Sequence, residues 1–285
     1  MQNTEQALAE KGQAKANPML LHMLKSLDES NAVYNTISNV AQNRKLWDNY
    51  GREWKQSGEE WVQKMASHVN MESDLVAIGD EWAPRLHTEE IINEFILPFL
   101  KPAADVGIPV KVAEIGCGGG RIALEVLKSG NVQEFRLYDI SQVMLSRAST
   151  LLQHVSGETT VSYHVVKVDE QKLEDADNSL TFIYCFDVLP HCELHVIYCY
   201  LLEIKRTLKA GGRAFISTAD ITSDGGFQRF QAQRCGSVGG FCFCSPEAVL
   251  HLVKKTGLVV LKIGERRATN TYLNRDFLLV VEKQA

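Results

Sequence analysis

Beyond Lys111 the chain alternates between short apolar runs and longer segments whose apolar residues recur at helical spacing. A strand over 111–115 leads to a helix over 121–128, where Ile122, Ala123, Val126 and Leu127 mark one face and Gly130 the stop. A strand over 134–138 leads to a helix over 141–152, with Met144, Ala148, Leu151 and Leu152 on one stripe. A third strand, 160–168, runs into a polar acidic loop. The fourth, 179–186, precedes a helix from Glu193 that carries Leu194, Ile197, Tyr198, Leu201 and Leu202. Gly211 and Gly212 turn the chain into strand 213–218. Ser245-Pro246-Glu247 reads as a cap followed by proline at the first helical position, and that helix ends at Gly257. Strands near 258–264 and 276–283 close the chain. Such βα alternation predicts an α/β fold with a doubly wound, mostly parallel sheet and right-handed crossovers. The last two strands have no long helix between them, which predicts an antiparallel partner at one edge.

The N-terminal part has a different texture. Residues 1–16 are polar and of low complexity and predict a frayed tail. Residues 17–100 read as a helical cap, aromatic-rich as far as His87, with a last helix over 89–100 leading into the first strand. All four tryptophans, Trp47, Trp54, Trp61 and Trp82, fall in this cap. The main domain then covers 101–285, with an insert near 219–244.

Candidate chemistry centres on Val112-Ala-Glu-Ile-Gly-Cys-Gly-Gly-Gly-Arg121. Glu114 is followed by Gly116, Gly118 and Gly120, which suits a backbone passing close beneath a nucleotide-like ligand. A dinucleotide fingerprint, G-x-G-x-x-G, counted from Gly116 would need glycine where Arg121 stands. This stretch resembles the first motif of class I S-adenosylmethionine-dependent methyltransferases, E/D-x-G-x-G-x-G at the end of the first strand. The resemblance extends over roughly 108–283 and includes Leu201 to Gly212, which is similar to the family's L-K-P-G-G turn with Ala210 in place of proline. It implies a seven-stranded Rossmann-like methyltransferase fold and S-adenosylmethionine as cofactor, with S-adenosylhomocysteine as product.

In such sheets ligands sit at the carboxyl ends of the strands. Asp139 ends the second strand, 23 residues after Gly116, where an acid accepts from ribose hydroxyls or else caps the next helix. Ser141 is available for the cap, which favours ribose. Ile140 and Met144 are placed to pack on adenine, Met144 being equally a core position. The resemblance puts Asp169, with Glu170 beside it, at the adenine amino group, and the backbone at Cys185 and Phe186 along the methionine end.

Methyl transfer to a hydroxyl, thiol or amine also needs a base. His191, just after the fourth strand, is the candidate, because histidine titrates in the useful range; the alternative is that it caps or packs at the next helix. The family takes acceptor specificity from its cap and its insert. Trp47, Tyr50 and Trp54 fall at i, i+3 and i+7 on one helix face, either a substrate wall or a docking surface. Trp82 lies in a loop held near the cofactor. Arg229 and Arg275 are candidates for a substrate carboxylate or phosphate. Arg121 in a first helical turn opposes the macrodipole and calls for a local acid.

Several classes are excluded by what the chain lacks. A net charge of −5 does not suit nucleic acid, and no apolar run approaches the ~18 residues that span a bilayer. Seven cysteines, none in a C-x-x-C pair, read as reduced thiols of a cytoplasmic protein with no metal. Asp187-Val188-Leu189-Pro190 lacks the (N/D)-P-P-(Y/F) stretch of enzymes that methylate amide or base amino nitrogens. The expectation is a small-molecule methyltransferase. The alternatives are an enzyme acting on protein or RNA and an inactive cofactor-binding module.

Overall fold

The computed structural model describes residues 39–53, 78–79, 82–100, 109–129, 131–167, 170–234 and 240–284. The 1–16 tail, Trp54, Trp61 and Asp169 lie outside them. Helix α1 (Asn39–Glu53) is followed by α2 (Arg85–Ile91), which passes through a π-helical turn, Ile92–Ile96, into 97–100. The alternating part comprises β1 (Lys111–Ile115), α3 (Arg121–Lys128), β2 (Glu134–Asp139), α4 (Gln142–Leu152), β3 (Thr160–Val165) and β4 (Leu180–Cys185). After a 3₁₀ turn, Leu189–His191, come α5 (Leu194–Thr207), β5 (Leu208–Ala219), α6 (Asp224–Ala232), α7 (Pro246–Thr256), β6 (Leu258–Ile263), α8 (Thr271–Arg275) and β7 (Asp276–Lys283).

The seven strands form one sheet in the order β3-β2-β1-β4-β5-β7-β6. The first five pair in parallel, and β7 runs antiparallel to both β5 and β6. The expected antiparallel strand is therefore one place in from the edge, which β6 occupies. The order reverses between β1 and β4, and the crevice above their carboxyl ends is where such sheets bind ligands.

All six residues of β4 are buried, and they divide by parity. Phe182 and Tyr184 join Ile91, Phe95, Ile122, Val126, Leu145 and Phe215 on the face covered by α2, α3 and α4. Ile183 and Cys185 join Ile197, Leu201, Ile204, Val249, Val253 and Leu279 beneath α5 and α7. Burial on both faces is what a near-continuous apolar strand signals.

The larger departures from expectation are at β3, β5 and α6. β3 ends at Val165, three residues short of the expected end at 168. β5 starts at Leu208, because Gly211 and Gly212 sit in a register shift between Leu180↔Leu208 and Phe182↔Arg213, not in a turn before the strand. Helix α6 forms despite Gly225 and Gly226 in its first turn. A Cβ at Gly226 would lie 1.8 Å from the Asp220 carbonyl oxygen, and one at Gly225 2.7 Å from that of Asn274. Those glycines serve close packing, while Ser223 caps the helix by accepting from the Gly226 N–H at 3.1 Å.

Candidate functional site

Four glycines follow β1, and three of them meet a different neighbour each. Gly116 (φ 72°) lies against Val188, whose Cγ2 would be 2.3 Å from an added Cβ. Gly119 has still less room, with Ile78 Cγ2 at 1.6 Å, so the cap residues 78–79 press directly on the loop. Gly120 (φ 88°) begins α3 and touches Ala148. Gly118 (φ 52°) has nothing within 4 Å of an added Cβ. Open space above one left-handed glycine, with tight packing beneath the other three, is what a loop shaped to a ligand requires.

Asp139 ties this loop to the next. Its Oδ2 accepts from the Gly118 N–H and its Oδ1 from the Ser141 N–H, both at 2.8 Å. The helix-capping role belongs to Ser141, whose Oγ accepts from Met144 N at 3.2 Å. Burial pushes the Asp139 carboxyl up to about 6, against the pull of the Ser141 and Gly118 amides. Met144 is buried at the start of α4, close to Gly51 of α1, and Ile140 packs on the core beneath α5.

Glu114 is buried below the loop and accepts from the Tyr184 hydroxyl at 2.9 Å. Burial raises its carboxyl to about 8, with Tyr184 and the nearby Arg121 opposing. Arg121 thus has the local acid its position called for, and its guanidinium also donates to Thr88 and Tyr272. An acid whose folded-state pKa lies above its unfolded value favours the fold most at low pH. That contribution is lost as pH rises from about 4.5 to about 8. Wild-type unfolding free energy should therefore fall over this window by on the order of 3–5 kcal/mol from this group. Glu114→Gln keeps the acceptor for Tyr184 and should flatten the slope; urea melts at pH 5 and pH 8 would show it, and parallel profiles would refute it.

The acceptor side gathers at the end of β4. Phe186 packs edge-on to Tyr272 with ring centres 4.7 Å apart, and Cys185 is fully buried. Asp187 adopts φ 58°, a left-handed conformation costly for a residue with a side chain. Two contacts hold it there, Ser217 Oγ accepting from its N–H at 2.8 Å and Arg275 donating to its carboxylate at 2.7 Å. Arg275 also makes a forked pair with Asp276 at 2.7 and 2.8 Å, so two of its three nitrogens are engaged by acids of the chain itself. Glu170 is exposed and pairs with Lys167 at 2.9 Å.

Helix α1 lies across this edge. Ser141 donates to Asp48 at 2.5 Å, Arg147 to the Gly51 carbonyl at 3.0 Å, and Asn43 to the His191 carbonyl at 3.1 Å. Trp47 meets Tyr50 at 5.9 Å and His191 at 5.4 Å, and Tyr50 meets Trp82 at 5.8 Å between ring centres. Trp47, from the aromatic face read in the cap, is therefore turned toward His191. His191 is held between Trp47 and Phe241, whose ring centre is 5.0 Å away. Its Nδ1 faces the Gly240 carbonyl at 3.3 Å.

Sequence reasoning missed Asn43, Asp48, Gly119 and Phe241. Asp48 and Asn43 had a signal, being polar residues beside the aromatic face of α1. Phe241 had none, because its neighbours come from α6, α8 and the 3₁₀ turn. Among the described residues no group of three or more His, Cys, Asp or Glu is arranged for a metal, and no helix is long and apolar enough to cross a membrane.

Residues 112–212 match a family model described as a methyltransferase domain. No curated protein matches the chain. Among solved structures, it resembles magnesium protoporphyrin IX methyltransferase from Synechocystis PCC 6803 with bound S-adenosylhomocysteine. The TM-score is 0.57 at 13% identity, over 84% of this chain and 99% of that one. A geranyl diphosphate C-methyltransferase from Streptomyces coelicolor A3(2) scores 0.53 at 14% identity, over 80% and 100%. The cyclase SpnF scores 0.53 at 18%, over 70% and 81%. At these identities the neighbours establish the fold alone, and the cyclase shows that the fold by itself does not dictate the reaction. With the strand order, the glycine loop and the match over residues 112–212 in agreement, the chain carries a methyltransferase domain on a Rossmann-like methyltransferase fold.

Proposed function

We propose that the protein is an S-adenosylmethionine-dependent methyltransferase acting on a small-molecule acceptor. The observation that carries this reading is the Gly118–Asp139 arrangement. A buried carboxylate fastens the glycine loop at the switch point of the sheet while the space over Gly118 stays open. Asp139 uses one acceptor site on each oxygen for the backbone, and a carboxylate has about four. The remaining sites suit the two hydroxyls of a ribose. When bound, the cofactor supplies an electrophilic methyl group on a sulfonium.

The chain's own residues do the rest. Glu114, Gly116, Gly118 and Gly120 form the floor, with Ile140 and Met144 at the adenine side and Cys185 and Phe186 at the methionine side. Asp169 and Glu170 remain the candidates for the adenine amino group. Trp47, Tyr50 and Trp82 cover the carboxyl edge and exclude water, which strengthens positioning at the transfer step. His191 takes the acceptor's proton at Nε2. A donor bond from Nδ1 to the Gly240 carbonyl selects that tautomer. The net charge of −5 favours a small acceptor over nucleic acid.

Calorimetry tests the reading: S-adenosylhomocysteine should bind and NAD should not. Label from methyl-labelled S-adenosylmethionine should then enter the low-molecular-weight fraction of a metabolite extract. NAD binding without S-adenosylhomocysteine binding would overturn the cofactor assignment. Label appearing only in protein or RNA would overturn the acceptor class.

A further inference from the structure

Phe241 carries two arginines on its ring. The guanidinium carbon of Arg275 lies 4.6 Å and that of Arg229 5.3 Å from the ring centre. The two differ in their other company. Arg275 is neutralised by Asp187 and Asp276. Arg229, on α6, makes no side-chain hydrogen bond or ion pair among the described residues. Arg229 is exposed, and partial loss of solvation and the nearby Arg275 disfavour its charge, while Asp187, already paired with Arg275, only partly offsets them. A cation kept beside a like charge, with no acid in hydrogen-bonding contact, is stabilised by an anion arriving from outside.

The surroundings say what that anion is attached to. Phe227 and Phe230 of α6 are 47% and 46% exposed and stack on each other at 6.0 Å. Phe230 meets Phe243 edge-on at 5.4 Å, Phe243 meets Phe241 at 5.8 Å, and Phe241 meets His191 at 5.0 Å. An aromatic path therefore runs from the candidate base to the outer face of α6, with Arg229 beside it. We infer that the acceptor is an amphipathic anion, a carboxylate or phosphate on an apolar body, whose charged group is held by Arg229 and whose body lies on Phe227, Phe230 and Phe243. This rests on the methyltransferase reading and deepens it, naming the class of molecule. Arg229 acts here by binding and orienting the acceptor.

The test uses the full chain saturated with S-adenosylhomocysteine, titrated with 3-phenylpropionate, phenyl phosphate and neutral 3-phenylpropanol. At least one of the two anions should bind about 10- to 100-fold tighter than the alcohol, the range of one charge-assisted contact. The tighter of the two identifies the head group. Arg229→Met should abolish that preference with S-adenosylhomocysteine affinity unchanged, and Arg229→Lys should restore part of it. Phe230→Ser should weaken anion and alcohol alike. Equal binding of anion and alcohol, a preference that survives Arg229→Met, or no binding of any probe would overturn the inference. So would a dimer that dissociates on Phe227→Ser, since the aromatic face would then belong to a second copy. Failure of the wild type to bind S-adenosylhomocysteine would instead overturn the methyltransferase reading beneath it.

Discussion

His191→Ala should lower kcat by about 10²–10⁴ while leaving S-adenosylhomocysteine affinity near its wild-type value, the loss expected when a positioned base is removed. The geometry supports separating the two effects. His191 touches Trp47 and Phe241, whereas the cofactor side is built from the glycine loop and Asp139. A role in packing alone predicts another pattern, in which loss of the ring loosens Trp47 and raises KM with kcat retained. The pH profile adds a second readout. Wild-type rate should fall on the acid side, where an imidazole becomes charged and cannot accept a proton, and the mutant should lack that limb. A mutant with near-wild-type kcat would point to an acceptor with no proton to lose, such as a thioether.

Asp139→Ala should weaken S-adenosylhomocysteine by roughly 2–4 kcal/mol, from two charge-assisted bonds less solvent compensation. Part of the loss should come from the loop itself, since the same carboxylate fastens Gly118 and Ser141. Asp139→Asn should be scarcely milder, because its amide nitrogen would face one of two N–H donors. The wild type should show the matching pH dependence. Hydroxyl donors favour the ionised carboxylate, so affinity should rise with pH to about 6, where Asp139 titrates, and then level off. Isothermal titration from pH 5 to pH 8 checks both statements. A pH-independent affinity that survives Asp139→Ala in a folded mutant would reduce Asp139 to a loop brace.

The legible part of the fold was the part governed by strict local periodicity. α3 and β7 run over the expected residues because one stripe, or one buried run, dictates each. The acid and glycines after β1 were readable for a related reason, since close approach leaves so few residue types. α6 was not readable, because Gly225 and Gly226 speak against a helix until Asn274 and the Asp220 carbonyl are seen against them. Nor was the state of Arg275. Its partner Asp187 is 88 positions away, and only the adjoining Asp276 hinted that its charge was already matched. The same distance problem hid Phe241, on which the acceptor side turns.

The attachment of α1 has a mechanical meaning. Among the described residues, side-chain hydrogen bonds tie it to the loop beside Asp139, to Arg147 and to the His191 carbonyl. Each such bond contributes ~0.5–1.5 kcal/mol net, and the packing of Gly51 on Val143 and Met144 and of Trp47 on His191 adds to them. One helix thus braces the loop that carries Asp139 and the turn that carries His191, so a substitution on α1 is transmitted to both sides of the sheet edge at once.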